Sequence, residues 1–230
     1  MSFEGRELGC IRGERIVFAG LDFTLARGGA LLLTGPNGSG KSSLLRLMAG
    51  LLAPAHGTIA WEGTPIAEAG EAHRARLRFV GHLHGVKPVL SAAENLLFWA
   101  RLRGHGADEV HQALADLALE SLADVPARML SSGQTRRLAL CRLLIGQSDL
   151  WLLDEPSVGL DDASLARLTA AFAAHRTAGG AIVVATHVPL DLPDAARLDL
   201  AAFQAPQDVL YETFAEGLAG GPLDAAGPPS

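Results

Sequence analysis

The run Gly35-Pro36-Asn37-Gly38-Ser39-Gly40-Lys41-Ser42 has the residue types and spacing to hold a phosphate chain. It fits the pattern G-x-x-x-x-G-K-[ST] without a gap. Its glycines let the backbone curl until successive N–H groups face one spot, which makes a cradle for an anion. A helix that starts at the loop adds unpaired N–H groups and the positive end of its dipole. Lys41 then reaches the β- and γ-phosphates of a nucleotide, and the Ser42 hydroxyl ligates Mg²⁺. The alternative is a glycine-rich turn with a surface lysine, which leaves the flanks unexplained. Residues 30–34 read as a short buried strand, and 43–49 as a helix stopped by Gly50.

Other residues offer matching chemistry. Asp154 and Glu155 end the apolar run 150–153. A neighbouring strand that ends in a carboxylate completes the Mg²⁺ shell in hydrolases with this loop, and Asp154 suits that role. Glu155, one residue on, can polarise the attacking water as general base. Away from a phosphate loop the same pair is only an acidic strand end. Leu130-Ser131-Ser132-Gly133-Gln134 precedes the helical stretch Thr135-Arg136-Arg137-Leu138-Ala139-Leu140. Small polar residues at a helix start make a second anion site; alone, they make an ordinary N-cap. Two such helix starts in one short chain make sense if the second serves another copy's nucleotide. His187 follows the apolar run 181–185. There it could bond a γ-phosphate, or be a satisfied half-buried histidine.

The elements that must position these residues alternate. Residues 8–25 read as two strands around the turn Arg12-Gly13-Glu14, a small antiparallel sheet. Further strands are read at 57–61, 77–80, 150–153 and 181–185, and an edge strand is expected at 198–203. Ser91-Ala92-Ala93-Glu94 is a capping box that opens a helix through Leu102; 108–119, 131–145 and 162–176 read as helices. Continuous apolar strands alternating with helices predict an α/β fold with a mixed or parallel core sheet. The chain reads as one domain over 1–230: a core of about 1–82 and 149–205, an inserted helical subdomain of about 83–148, and a frayed Gly/Pro/Ala-rich tail near 215–230.

The 230 residues suffice for one large domain or two small ones. The net charge of −6 argues against coating duplex DNA by phosphate neutralisation, so no nucleic-acid partner is expected. Cys10 and Cys141 lack metal-ligand or redox spacing, which suits a reducing, cytosolic setting. No signal pattern is read. No apolar run approaches the roughly 18–20 residues that span a bilayer. A membrane role would therefore run through a partner.

Taken in order, the phosphate loop, Leu130 to Gln134, Asp154-Glu155, Ser157-Val158-Gly159-Leu160-Asp161 and His187 resemble an ABC-type ATPase domain over residues 5–205. The resemblance implies a head-to-tail dimer with two ATP molecules and Mg²⁺ sandwiched. Each nucleotide would lie between the phosphate loop of one copy and Ser131, Gly133 and Gln134 of the other, with Asp161 linking the two sites. Arg12-Gly13-Glu14-Arg15, Gly81-His82, Gly85-Val86-Lys87, Glu94-Asn95-Leu96 and Arg136 to Leu140 are similar to the ATP-binding subunit of the cytochrome c maturation haem exporter. That implies integral membrane partners and a peripheral place on the cytoplasmic face of the inner membrane. An exporter ATPase for another cargo, or a soluble ABC ATPase acting on DNA ends or ribosomes, are the alternatives. The latter types carry a long coiled-coil insertion or two ATPase domains, and this chain has neither. Two positions depart from the family pattern. The glutamine expected after the strand at 77–80 aligns with Leu83, unless His82 or His84 substitutes. The adenine-stacking aromatic aligns with Arg12, whose guanidinium plane can stack on a base; Phe18 is the other candidate.

Overall fold

The computed structural model describes residues 2–13 and 15–204. Glu14 of the expected turn and the expected frayed tail lie outside the described residues. The sheets follow the two hydrophobic patterns in the sequence. Strands β1 (Ser2–Arg12), β2 (Arg15–Ala26), β4 (His56–Trp61) and β5 (Thr64–Pro65) form an antiparallel sheet in the order β2-β1-β4-β5. Strands β3 (Ala30–Thr34), β6 (Leu77–Val80), β7 (Leu150–Asp154), β8 (Ala181–Ala185) and β9 (Ala196–Asp199) form a parallel sheet in the order β6-β7-β8-β3-β9. Every residue of β7 and β8 is buried, which is why 150–153 and 181–185 read as unbroken apolar runs.

The strand pleat sends alternate residues into two separate cores. Leu31, Leu33, Leu150, Leu152, Val183 and Ala185 face one side. There they pack with α1 (Lys41–Met48) and the inner face of the antiparallel sheet, including Phe3, Phe18 and Ile59. Leu32, Trp151, Leu153, Ile182 and Val184 face the other side. They meet α3 (Ala92–Arg101), α4 (Ala107–Asp116), α5 (Ser132–Leu144) and α6 (Asp162–Thr177) through residues such as Leu96, Leu114, Leu138 and Phe172. Leu152 is fully buried between β6 and β8. Truncating such a side chain to alanine costs about 2–5 kcal/mol, because the lost contacts and the remaining cavity both count.

Local signals mark most element ends. The capping box at α3 is complete: Ser91 Oγ accepts from the Glu94 N–H at 3.1 Å, and the Glu94 carboxylate accepts from the Ser91 N–H at 2.8 Å. Two expectations need correction. The edge strand is Ala196–Asp199, pairing with β3, and Leu200–Phe203 is a 3₁₀ turn instead. Asp199 ends the strand by accepting from the Ala201 N–H at 3.0 Å, which caps that turn. Helix α2 (Gly70–Arg76) was not anticipated; it buries only His73 and so lacks the apolar stripe by which helices are read.

Candidate active site

Parallel register lines up three strand ends. Leu33 of β3 stands beside Ala185 of β8, and Ala185 beside Asp154 of β7. The loop from Gly35, the pair Asp154-Glu155 and the residues Thr186-His187 therefore emerge side by side at one edge of the sheet. In an open α/β sheet this carboxyl edge is where ligands sit.

The phosphate loop is built as its glycines require. Gly40 is the N-cap of α1 with φ of 101°. A Cβ there would come within 2.6 Å of Val17 and 2.8 Å of Phe18. Gly35 has φ of 129°, and a Cβ would press on Ser39 Oγ at 2.8 Å. Lys41 is 8% exposed and folds back along the loop, donating to the carbonyls of Gly35 at 2.7 Å and Pro36 at 3.0 Å. Ser39 is buried, and its Oγ has no partner among the described residues.

A cleft of about 410 Å³ opens beside the loop. Asn37, Gly38, Gly40, Lys41, Ser42, Asp154, Glu155 and His187 line it, so the structure brings together the loop, both carboxylates and the histidine expected from sequence. Glu155 has a left-handed backbone, φ of 51°. Its N–H donates to Ala185 O at 2.8 Å, and its carboxylate accepts from His187 Nδ1 at 2.8 Å and the His187 N–H at 3.3 Å. With the proton on Nδ1, the remaining ring nitrogen of His187 is free for a ligand. The Ser42 hydroxyl and the Asp154 carboxylate are hard oxygen donors in one cleft, a fit for Mg²⁺. Among the described residues no group of three or more His, Cys, Asp or Glu could hold a metal ion, so a cation here would need phosphate oxygens to fill its shell.

Other expected residues lie elsewhere. Arg12 stands exposed at the end of β1, outside the lining of this cleft. Phe18 is fully buried in the core under Gly40, so it cannot stack on a base; Val17 lines the cleft instead. Ser131 and Gln134 form a capping box at the start of α5, with Gly133 between them. Ser131 Oγ accepts from the Gln134 N–H at 3.2 Å, and Gln134 Oε1 accepts from the Ser131 N–H at 2.8 Å. A Cβ on Gly133 would meet Gly159 O at 3.0 Å, so the signature stretch and the loop before Asp161 lie close together. Asp161 caps α6, accepting from the Ser164 N–H at 2.8 Å; its bonds with Ser164 hold its carboxyl below the usual aspartate range. None of these lines the cleft of its own chain.

The segment after β6 separates its three candidates. His82 lines the cleft. Leu83 is 86% exposed. His84 turns inward, and its Nδ1 accepts from Arg136 Nη1 at 3.2 Å. Burial, then the neighbouring Arg136, push the His84 pKa below the ordinary histidine value. Sequence reasoning missed Val17 as a wall and Arg136 as a buried residue. Arg136 is 4% exposed, and burial lowers its pKa. Beside Arg137 it reads as ordinary helix charge, and no local signal marks it.

Fold and site together define a phosphate-loop nucleotide hydrolase. The ABC transporter family pattern matches residues 18–158. A cytochrome c biogenesis ATP-binding export protein CcmA from Paramagnetospirillum magneticum is 52% identical over 212 residues, covering 90% of this chain and 98% of the relative. The protein of the same name from Rhodospirillum rubrum is 55% identical over 201 residues, covering 87% and 86%. The fold matches an ABC transporter ATP-binding protein from Pyrococcus furiosus with a TM-score of 0.77 at 24% identity, covering 89% of this chain and all of that one. The chain belongs to the ABC transporter family and, within it, to the CcmA group. It is thus an ATP-hydrolysing transporter subunit. Among the described residues no helix is long and apolar enough to cross a membrane.

Proposed function

We propose that the chain is the ATPase subunit of a haem exporter for cytochrome c biogenesis, working as a head-to-tail dimer with integral partners at the cytoplasmic face of the inner membrane. The observation that carries the enzymology is the Glu155–His187 pair in one cleft with Lys41, Ser42 and Asp154. The loop N–H groups from Gly35 to Ser42 receive the phosphates. Lys41 leaves the two loop carbonyls and turns to the β- and γ-phosphates, exchanging neutral acceptors for charged ones. Ser42 and Asp154 would hold Mg²⁺, which supplies charge neutralisation at the phosphates. Glu155 takes a proton from the attacking water, and His187 steadies that carboxylate and meets the γ-phosphate.

Ser131, Gly133, Gln134 and Asp161 stand away from this chain's cleft, which suits service to the nucleotide of a second copy. Arg12 is the candidate for stacking on adenine. Residues 83–148 act as the helical subdomain that relays closure to the membrane partners. Leu83, Val89 and Phe98 expose apolar side chains there, 86%, 74% and 55% exposed, and give those partners a surface to grip.

The haem reading comes from the relatives, whose names place them in cytochrome c biogenesis. The test joins enzymology to phenotype. Lys41→Ala should abolish hydrolysis in purified protein, and in cells that lack the wild-type chain it should stop assembly of haem-bearing cytochrome c. Normal cytochrome c with an inactive ATPase would point to another cargo. Full hydrolysis by the variant would remove the phosphate-loop assignment.

A further inference from the structure

Glu155 is held in an unusual way. A non-glycine residue with φ of 51° is strained, and such a residue persists only where its surroundings over-determine it. One source of constraint is β8, where Ala185 O accepts the Glu155 N–H. A second is the Val158 N–H, which donates to Glu155 O at 3.3 Å, and a third is a side chain from a different part of the fold. Arg136, on the second turn of α5, donates from Nη2 to Asp154 O at 2.7 Å and to Glu155 O. From Nη1 it donates to Gly81 O at 3.4 Å and to His84 Nδ1 at 3.2 Å.

This arginine is costly to keep. It is almost fully buried, its Nε has no partner, and among the described residues no carboxylate pairs with it in a salt bridge. Its direct hydrogen-bond partners are backbone oxygens and one imidazole, and the Asp154 and Glu155 carboxylates act on its charge only through space. A buried cation without a direct counter-ion is unfavourable, and a packing role alone would be filled more cheaply by an apolar side chain. What the guanidinium uniquely offers is a rigid fork whose two ends bond different segments at once. Here one end grips the two peptide carbonyls at the strained turn, and the other grips the segment that places His82 in the cleft.

We propose that Arg136 is a positioning residue for hydrolysis: it fixes the backbone from which Glu155 projects and ties that backbone to α5 and to residues 81–84. The proposal rests on the reading of Glu155 as the base. Because Arg136 lies two residues beyond Gln134, a shift at the start of α5 is transmitted through one side chain to the carboxylate. The alignment of Glu155 is therefore set by how α5 sits, and a second copy's nucleotide against Ser131 to Gln134 would bear on it directly.

The test is a double-mutant cycle in the full chain, with single-turnover hydrolysis of γ-labelled ATP and ATP affinity measured side by side. Arg136→Gln should lower the hydrolysis rate about 10- to 100-fold and leave ATP affinity within about threefold. Arg136→Lys should not restore the rate, since an ammonium cannot span both segments. In a Glu155→Gln background, Arg136→Gln should lower the remaining rate less than about twofold, because two residues that act through one step are not additive. His84→Ala removes a single acceptor and should cost about 3- to 10-fold, again only while Glu155 is present. It serves as the deciding variant if Arg136→Gln does not fold, judged by its melting curve. A near-wild-type rate in folded Arg136→Gln, or the same loss with and without Glu155, overturns the proposal. A wild-type rate in Glu155→Gln alone overturns the base assignment instead, and the proposal falls with its premise.

Discussion

Glu155 carries both a strained backbone and a carboxylate already engaged by His187. A carboxylate held this way is pre-aimed, and in the proposed role of base it would not search for its geometry when substrate arrives. The same economy is visible one segment away, where His82 enters the cleft and Leu83 points to solvent. His82→Ala should slow hydrolysis about tenfold, equivalent to about 1.4 kcal/mol of barrier. Leu83→Gln should change the rate of the isolated protein less than about twofold, since that side chain is outside the cleft. A silent His82→Ala together with a faster Leu83→Gln would mean that the segment closes differently with ATP bound. At this scale the sequence was legible where chemistry dictates residue type. Glycine, lysine and serine at the spacing of residues 35–42 suit little besides a phosphate chain. The sequence was silent on Arg136, because an arginine beside another on a helix carries no mark of burial. It misled on Phe18, whose aromatic ring is needed under Gly40 rather than against a base.

Elements locate these residues through register and caps. Two helices begin with the same reciprocal capping box, Ser91 with Glu94 and Ser131 with Gln134. The physics of the two is alike, so Ser91→Ala and Ser131→Ala should each cost about 0.5–2 kcal/mol of stability, read by chemical denaturation. Their functional outcomes should part. Only Ser131→Ala should lower ATPase activity at protein concentrations where dimers form, because only that helix start would face a nucleotide. Equal activity in the two variants would reduce the Ser131 stretch to a helix cap. Strands β3, β7 and β8 were legible because central parallel strands must be apolar on both faces. The edge strand was misplaced because apolar character continues past Asp199 into the 3₁₀ turn, and only the Asp199 carboxylate marks the break. The seven-residue helix α2 carried too little apolar periodicity to be seen.

Across the described residues, two cores flank one sheet, and its carboxyl edge carries the candidate site. The opposite edge holds a larger cavity of about 720 Å³, lined in part by Trp151, His175, Asp149 and Arg27. His175 stacks on Trp151 with ring centroids 3.9 Å apart and donates from Nε2 to Ala181 O at 3.3 Å. Burial pushes its pKa from 6.5 down to about 4. A lowered histidine pKa means that the unfolded chain takes up a proton before the folded one does. Stability is full above pH about 6.5 and is lost as pH falls towards 4. The melting temperature of the wild type should therefore drop more steeply between pH 6.5 and 4.5 than that of His175→Gln. Parallel curves would show that His175 titrates freely in the folded state.

The central claim is that Glu155 is the base of an ATP-sandwich dimer in which Ser131 to Gln134 of one copy close over the phosphate loop of the other. Glu155→Gln keeps size and hydrogen bonding while removing basicity, a change worth about 10²–10⁴-fold in rate. The direct measurement is the mass of purified Glu155→Gln by size-exclusion chromatography with light scattering, in Mg-ATP and in Mg-ADP. The account predicts a dimer with ATP, a monomer with ADP, and loss of the ATP dimer when Ser131→Ala is added. A Glu155→Gln protein that stays monomeric in Mg-ATP while hydrolysing at the wild-type rate would contradict it.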